Sequence, residues 1–381
     1  NELPLSDLVN HQALVYYGLN QVESFLYFNR WLEENNNVAL VYLEDDICSL
    51  LNFLHNPKAR EILSSHKVFL YWLDPHLKND VYEKIAVECC GLSLVCYSSN
   101  KENCDEVEYG LRGAFAFENL LTQESQGNSQ GLLRHYYSNL KSFFPLIDAA
   151  GLEGDFSGTP ALICGAGPSL STNVALFSEF KNKGLIFAGG SALKVLVSEG
   201  IEPHFTACVD PNEEQFRRMK GLENLKSPCF MIGRSHHEAL CNLGGRKIFV
   251  PQLDAFPISY WIEEQLGLSQ KKWEQPLNVV HVCLMMAYHM GCSPIIFSGL
   301  DLSFPKEKKC HKSLNSTNLD HSHYGDYLEV KDIFGNPVLT MYQWIREAKF
   351  IQKFVEKHSE VEYLNATEGG MGIKGIENIT L

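Results

Sequence analysis

The residues best suited to chemistry are Gly165-Ala166-Gly167-Pro168-Ser169-Leu170, directly after the apolar run Ala161 to Cys164 and before a helical pattern. Glycines let the backbone approach a ligand closely, Pro168 suits the first turn of a helix, and unpaired amides at a helix start attract phosphate. The combination points to a nucleotide. The third glycine of the dinucleotide fingerprint is missing and no Gly-Lys-Ser/Thr follows, so neither standard fingerprint applies. A plain strand-to-helix turn is the alternative reading of the same residues.

Two carboxylates stand just past other apolar runs: Asp210 after Phe205 to Val209, and Asp301 after Ile295 to Phe297 by way of Ser298-Gly299-Leu300. Each reads alone as a helix cap or turn former, but loops that follow strands of one parallel sheet converge on one crevice. Ser191, after Gly189-Gly190, reads as a further cap or a ligand contact. His311, His321 and His323 lie with Asp320, Tyr324 and Asp326 in a long polar stretch. They could supply a general base near neutral pH, a metal site or a solvated loop. His281 and His289, eight apart on an apolar helix, read as packing residues.

The elements that must position these groups alternate. Leu14 to Tyr17, Val38 to Leu43, Val68 to Leu73 and Leu92 to Tyr97 read as strands separated by helices, which implies a parallel sheet. A helical pattern through Leu133, Tyr136, Leu140 and Phe143 leads to the Gly-rich stretch at 151–155, where a domain boundary is placed. From Pro160 the alternation restarts with Ala161 to Cys164, Leu185 to Ala188, Phe205 to Val209, Phe230 to Ile232, Ile248 to Val250 and Ile295 to Phe297. Thr340 and Gln343 form a capping-box pattern opening a helix through Ile345, Ala348, Ile351 and Val355. The fold class is α/β: two Rossmann-like parallel-sheet domains, 1–155 with a helical linker and 156–381, the second with a helical C-terminal end.

Composition bounds what this fold can do. Of 381 residues 45% are hydrophobic and 20% charged, which supports real cores, and the net charge of −14 disfavours nucleic acid and anionic membranes as partners. Twelve cysteines without a Cys-x-x-Cys pair, mostly in apolar stretches, read as reduced buried thiols and a cytoplasmic location. No apolar run is long enough to span a membrane, and Asn1 to Pro4 lacks the character of a signal peptide. Asn1 is not Met, so the chain reads as trimmed, and oligomeric state is not legible.

At the residues above, the chain resembles the bacterial motility accessory factor proteins, proposed flagellin glycosyltransferases whose central domain is related to bacterial sialyltransferases. The segments carrying the resemblance are Ile163 to Leu170, Ser191-Ala192-Leu193-Lys194, Val209-Asp210-Pro211, Val280-His281-Val282-Cys283, Ser298 to Leu302, Gly335-Asn336-Pro337-Val338 and Asn365 to Gly370. By this resemblance Gly165, Ala166, Gly167, Pro168, Ser169, Ser191, Asp210, Asn278 and Asp301 surround a nucleotide-sugar donor, a CMP-activated nonulosonic acid. The acceptor is a hydroxyl, such as a protein Ser or Thr. Ser322-His323-Tyr324 resembles the segment just before the transferase base, which makes His323, with His321 beside it, the candidate base. The family's residues differ here at Gly190, Asp210, Asn278 and Ser303. No metal or cofactor is obligatory on this reading. The same superfamily includes a 6-hydroxymethylpterin diphosphokinase, which would use ATP and Mg²⁺ held by carboxylates such as Asp210 and Asp301. A catalytically inactive nucleotide-binding module is the third expectation.

Overall fold

The computed structural model describes residues 13–19, 28, 31–36, 38–74, 77–89, 94–98, 104–254, 257–305 and 327–381. The chain separates into two compact units that divide between Gly127 and Asn128, within the long helix Cys104–Phe143. The division thus falls earlier than residue 155. Strand β5 explains the difference, because Ile147–Asp148 pairs with a strand of the second unit. Asn139 also donates its amide hydrogens to the Gly233 and Ser235 carbonyls, at 2.8 and 2.7 Å.

The first unit holds a four-stranded parallel sheet in the order β3-β2-β1-β4, with β1 at Ala13–Tyr17, β2 at Ala39–Glu44, β3 at Val68–Trp72 and β4 at Leu94–Ser98. Every residue of β1 and β2 is buried, as expected of strands covered on both faces. Glu44 ends β2 almost fully buried, and its carboxylate accepts from the Leu19, Asp45 and Asp46 amides at 2.7, 2.9 and 2.9 Å. The strand-end amides of this unit therefore hold one of its own side chains.

The second unit is built on a nine-stranded sheet in the order β16-β15-β11-β6-β7-β8-β9-β10-β5. The central strands are β6 (Ala161–Cys164), β7 (Leu185–Gly189), β8 (Phe205–Cys208), β9 (Cys229–Met231), β10 (Lys247–Phe249) and β11 (Ile295–Ser298), all parallel. These are the strands expected from the sequence. Successive residues point to opposite faces and both faces are apolar. Ile163, Phe187, Phe205 and Phe230 face the helices Val279–His289 and Tyr342–Lys357, while Leu162, Cys164, Ile186 and Met231 face the helices on the other side. Phe205 lies stacked between Phe187 and Phe230 with ring centroids 5.2 and 5.4 Å away.

A second, antiparallel sheet orders β12 (Phe304–Pro305), β14 (Pro337–Thr340) and β13 (Leu328–Lys331) as β12-β14-β13. The capping box expected at Thr340 does not form. Thr340 is the last residue of β14 and donates its hydroxyl to the Leu302 carbonyl at 2.7 Å, while Met341 occupies the cap position without a side-chain bond. Beyond this helix, β15 (Tyr363–Asn365) and β16 (Glu377–Asn378) extend the large sheet past β11, so the chain ends on strands. Cys48, Cys89, Cys164, Cys208, Cys229, Cys241, Cys283 and Cys292 are free thiols, and all but Cys48 and Cys241 are buried. Among the described residues no helix is long and apolar enough to cross a membrane.

Candidate functional site

From β6 the chain lays down β7, β8, β9 and β10 in one direction and then returns to place β11 on the other edge of β6. A ligand crevice in an open parallel sheet opens beyond the carboxyl ends of the strands flanking such a reversal. The loops at this point are Gly165 to Ser169 after β6 and Gly299 to Asp301 after β11.

These loops touch backbone to backbone. The Gly165 amide donates to the Ser298 carbonyl at 2.8 Å and the Gly167 amide to the Gly299 carbonyl at 2.7 Å. Gly299 has φ +69°, and a Cβ there would lie 2.6 Å from the Gly165 carbonyl oxygen, so only glycine meets both demands. A Cβ on Gly167 would fall inside the Asp301 carboxylate. Asp301 is 6% exposed; its Oδ2 accepts from Ser169 Oγ at 2.7 Å, and both its oxygens accept from the Ser169 amide at 3.3 Å. Burial pushes its carboxyl up to about 6 against the opposing pull of these Ser169 bonds. A third loop closes the group: the Leu300 amide donates to Thr367 Oγ1 at 3.2 Å, and a Cβ on Gly369 would lie 3.5 Å from Asp301 Oδ1.

This geometry corrects one expectation. The amides of Gly165, Gly167 and Ser169 already have acceptors within the fold, and the helix they precede, Leu170–Asn173, is only four residues long. They are not free to meet a phosphate, because a buried carboxylate needs hydrogen bonds and Asp301 draws them from Ser169. Gly165 and Gly167 make the close crossing possible, and Pro168 lies between it and the serine.

Further along the same edge, Asp210 follows β8 and accepts from Arg218 Nη1 at 3.4 Å; its side chain is 33% exposed. Burial raises its carboxyl above the usual range, while Arg218 and Arg234 oppose that shift. Ser191 is half-buried near the start of the helix Gly190–Ser198 that follows β7. It is not the expected cap: Gly189 holds that position with no side-chain bond. Asn278 is a genuine cap, with Oδ1 accepting from the His281 amide at 3.0 Å. Its side chain also bonds Glu347, which the sequence reading passed over.

Glu347 lies on the helix Tyr342–Lys357, 6% exposed, with Oε1 accepting from Gln343 Nε2 at 3.1 Å. Burial pushes its carboxyl up to about 7, with the Asp210 charge acting in the same direction. The signal was available: Trp344, Glu347, Ala348 and Ile351 follow helical spacing, which puts an acidic residue on an apolar stripe. Arg234 was likewise passed over, and its buried Nε has no hydrogen-bond partner.

His281 is fully buried, with Nδ1 accepting from the Leu277 amide at 3.1 Å, Nε2 3.2 Å from the Glu347 carbonyl and its ring stacked on Phe350. Burial holds it down at about 3, so it fixes two helices as a neutral side chain. His289 meets the Ala149 and Ala150 carbonyls in the same structural manner. His311, His321 and His323 lie outside the described residues, as do their acidic neighbours.

Comparison with known proteins finds a family and a solved structure among its matches. Residues 134–307 match the family described as "6-hydroxymethylpterin diphosphokinase MptE-like". The structure of the MAf glycosyltransferase from Magnetospirillum magneticum AMB-1 resembles this chain with a TM-score of 0.55 at 13% identity, covering 97% of this chain and 57% of that one. The chain thus spans little more than half the length of that structure. No curated protein matches. Family profile and fold both agree with the resemblance read from the loop sequences, to motility accessory factor and MptE-like proteins.

Proposed function

We propose that the second unit is a glycosyltransferase that takes a nucleotide-activated sugar at the carboxyl edge of its large sheet and transfers the sugar to an acceptor hydroxyl. The observation that carries this reading is the convergence of three loops, Gly165 to Ser169, Gly299 to Asp301 and Thr367 to Gly370, at the reversal between β6 and β11. The donor assigned is a CMP-activated nonulosonic acid and the acceptor a protein Ser or Thr.

In the reaction the acceptor oxygen bonds to the anomeric carbon, the bond from that carbon to the phosphate oxygen breaks, and the nucleoside monophosphate leaves with the electron pair. The acceptor proton passes to a base. His323 holds that role by resemblance, with His321 beside it; among the described residues Glu347, pushed up to about 7 beside Asp210, is the further candidate. The amides of Gly165, Gly167 and Ser169 are engaged, so charge on the leaving phosphate falls largely to cations. Arg218 and Arg234 both act on Asp210 and stand on the same edge.

The description of the matching family favours one second reading, diphosphate transfer from ATP to a hydroxymethyl pterin. That chemistry uses Mg²⁺, for which Asp210 and Asp301 would be the ligands. The hydrogen bonds holding Asp301 to Ser169 argue against its service as a metal ligand. A thermal-shift panel of CMP, CDP, UDP, ATP and pterins, each with and without Mg²⁺, separates the readings. Stabilisation by CMP without Mg²⁺ supports sugar transfer; stabilisation by ATP and pterin only with Mg²⁺ replaces it. CMP affinity without turnover on any acceptor marks an inactive binding module.

A further inference from the structure

Next to the Asp210 loop, His135, His236 and Glu238 bring one nitrogen or oxygen each to within 4.8 Å of one another. Glu238 Oε2 lies 3.8 Å from His135 Nδ1 and 3.4 Å from His236 Nδ1. Both histidines are buried, and Glu238 Oε2 is buried with no hydrogen-bond partner. The two nitrogens are acceptors in this structure, approached by the backbone amides of His237 at 3.1 Å and Ala239 at 3.3 Å. Glu238 Oε2 therefore faces two nitrogens that already accept amide hydrogens, and it is left buried without a donor of its own.

We propose that His135, His236 and Glu238 form a binding site for a divalent transition metal, zinc above all. Zinc bonds of about 2.0–2.2 Å in a tetrahedron set ligand atoms roughly 3.3–3.5 Å apart; the two nitrogen–oxygen pairs here lie at 3.4 and 3.8 Å and the two nitrogens within 4.8 Å, so a small inward shift of His135 completes the set. Two imidazoles and one carboxylate match zinc and its neighbours rather than magnesium, which prefers an all-oxygen shell. The surroundings are those of a supported ligand set. The far nitrogen of His236, Nε2, faces Glu213 Oε2 at 3.5 Å, the carboxylate–histidine arrangement that orients a metal-binding ring. Arg134 Nη2 holds the other Glu238 oxygen, Oε1, at 3.0 Å and aims Oε2 inward.

Ion entry replaces the two long amide contacts and ties the helix Cys104–Phe143 to the short helix His237–Cys241. The His236 amide donates to the Asp210 carbonyl at 3.0 Å, so the metal would also stiffen the loop bearing Asp210. Three protein ligands leave one coordination position open to a small donor such as water.

Chelator-treated full chain titrated with Zn²⁺ and with Co²⁺ tests this. The expected result is one equivalent of Zn²⁺ per chain, retained against millimolar Mg²⁺, and visible absorption bands of tetrahedral Co²⁺. His236→Asn keeps an oxygen able to cap the helix, and Glu238→Gln keeps the contact with Arg134. Each should weaken Zn²⁺ binding at least about tenfold with an unchanged circular dichroism spectrum. Glu213→Gln should weaken it less. Substoichiometric zinc, or full zinc affinity in both ligand variants, overturns the proposal. Loss of the fold in either variant moves the decision to the wild-type stoichiometry and the Co²⁺ spectrum, which stand without them.

Discussion

Asp301 holds the site's most constrained side chain, and two predictions follow from its neighbours. Gly167→Ala places a methyl group where the Asp301 carboxylate lies, so it must expel that carboxylate from its Ser169 bonds. The expected cost is about 1–3 kcal/mol in denaturant unfolding, with loss of nucleotide binding by calorimetry. Unchanged stability and affinity would remove this loop from the site. The second prediction concerns pH. Burial raises Asp301 to about 6 and Glu347 to about 7 from ordinary values of 3.8 and 4.5. In the folded state these groups hold protons that the unfolded chain releases, so their favourable contribution is complete below pH 4 and is lost as pH rises through 6 to 7. Asp301→Asn and Glu347→Gln should flatten the Tm profile over that window, and an unaltered profile would contradict the raised values. For the base, His323→Ala should lower turnover by about 10² to 10⁴ with donor affinity retained. If activity is unchanged while Glu347→Gln abolishes it, the proton goes to the carboxylate instead.

At the scale of elements, the apolar side of the large sheet rests on Phe230 stacked against Phe205, and Phe230→Ala should cost about 3–5 kcal/mol in chemical unfolding. A loss below about 1 kcal/mol would mean the strand relaxes around the cavity. The central strands were legible because a parallel strand buried on both faces is an unbroken apolar run, as Leu162 to Cys164 and Ile295 to Phe297 are. β5, β15 and β16 were not, since two or three residues at a sheet edge leave no periodic trace. Thr340 misled for a different reason: the capping-box pattern is local, while its hydroxyl bonds Leu302 across the fold. Within the site, sequence order placed the loops of Gly165, Asp210 and Asp301 along one edge. Their amide partners, Glu347 and the His135 cluster depend on contacts between distant segments, which spacing does not encode.

For the whole molecule, the proposed donor chemistry belongs to the second unit, while in the first the amides of Leu19, Asp45 and Asp46 at the end of β2 are filled by Glu44. On the proposed assignment of Arg218 and Arg234 to the leaving phosphate, sugar transfer should proceed at full rate in Mg²⁺-free buffer, and a strict Mg²⁺ requirement would favour the diphosphokinase reading. The most direct test of the central claim is a calorimetric titration of CMP into wild type and Asp210→Ala without added Mg²⁺. The expected result is saturable one-site binding that weakens about tenfold or more in the variant, a loss of at least about 1.4 kcal/mol. Absence of CMP binding to wild type, together with tight binding of ATP once Mg²⁺ is added, would contradict it.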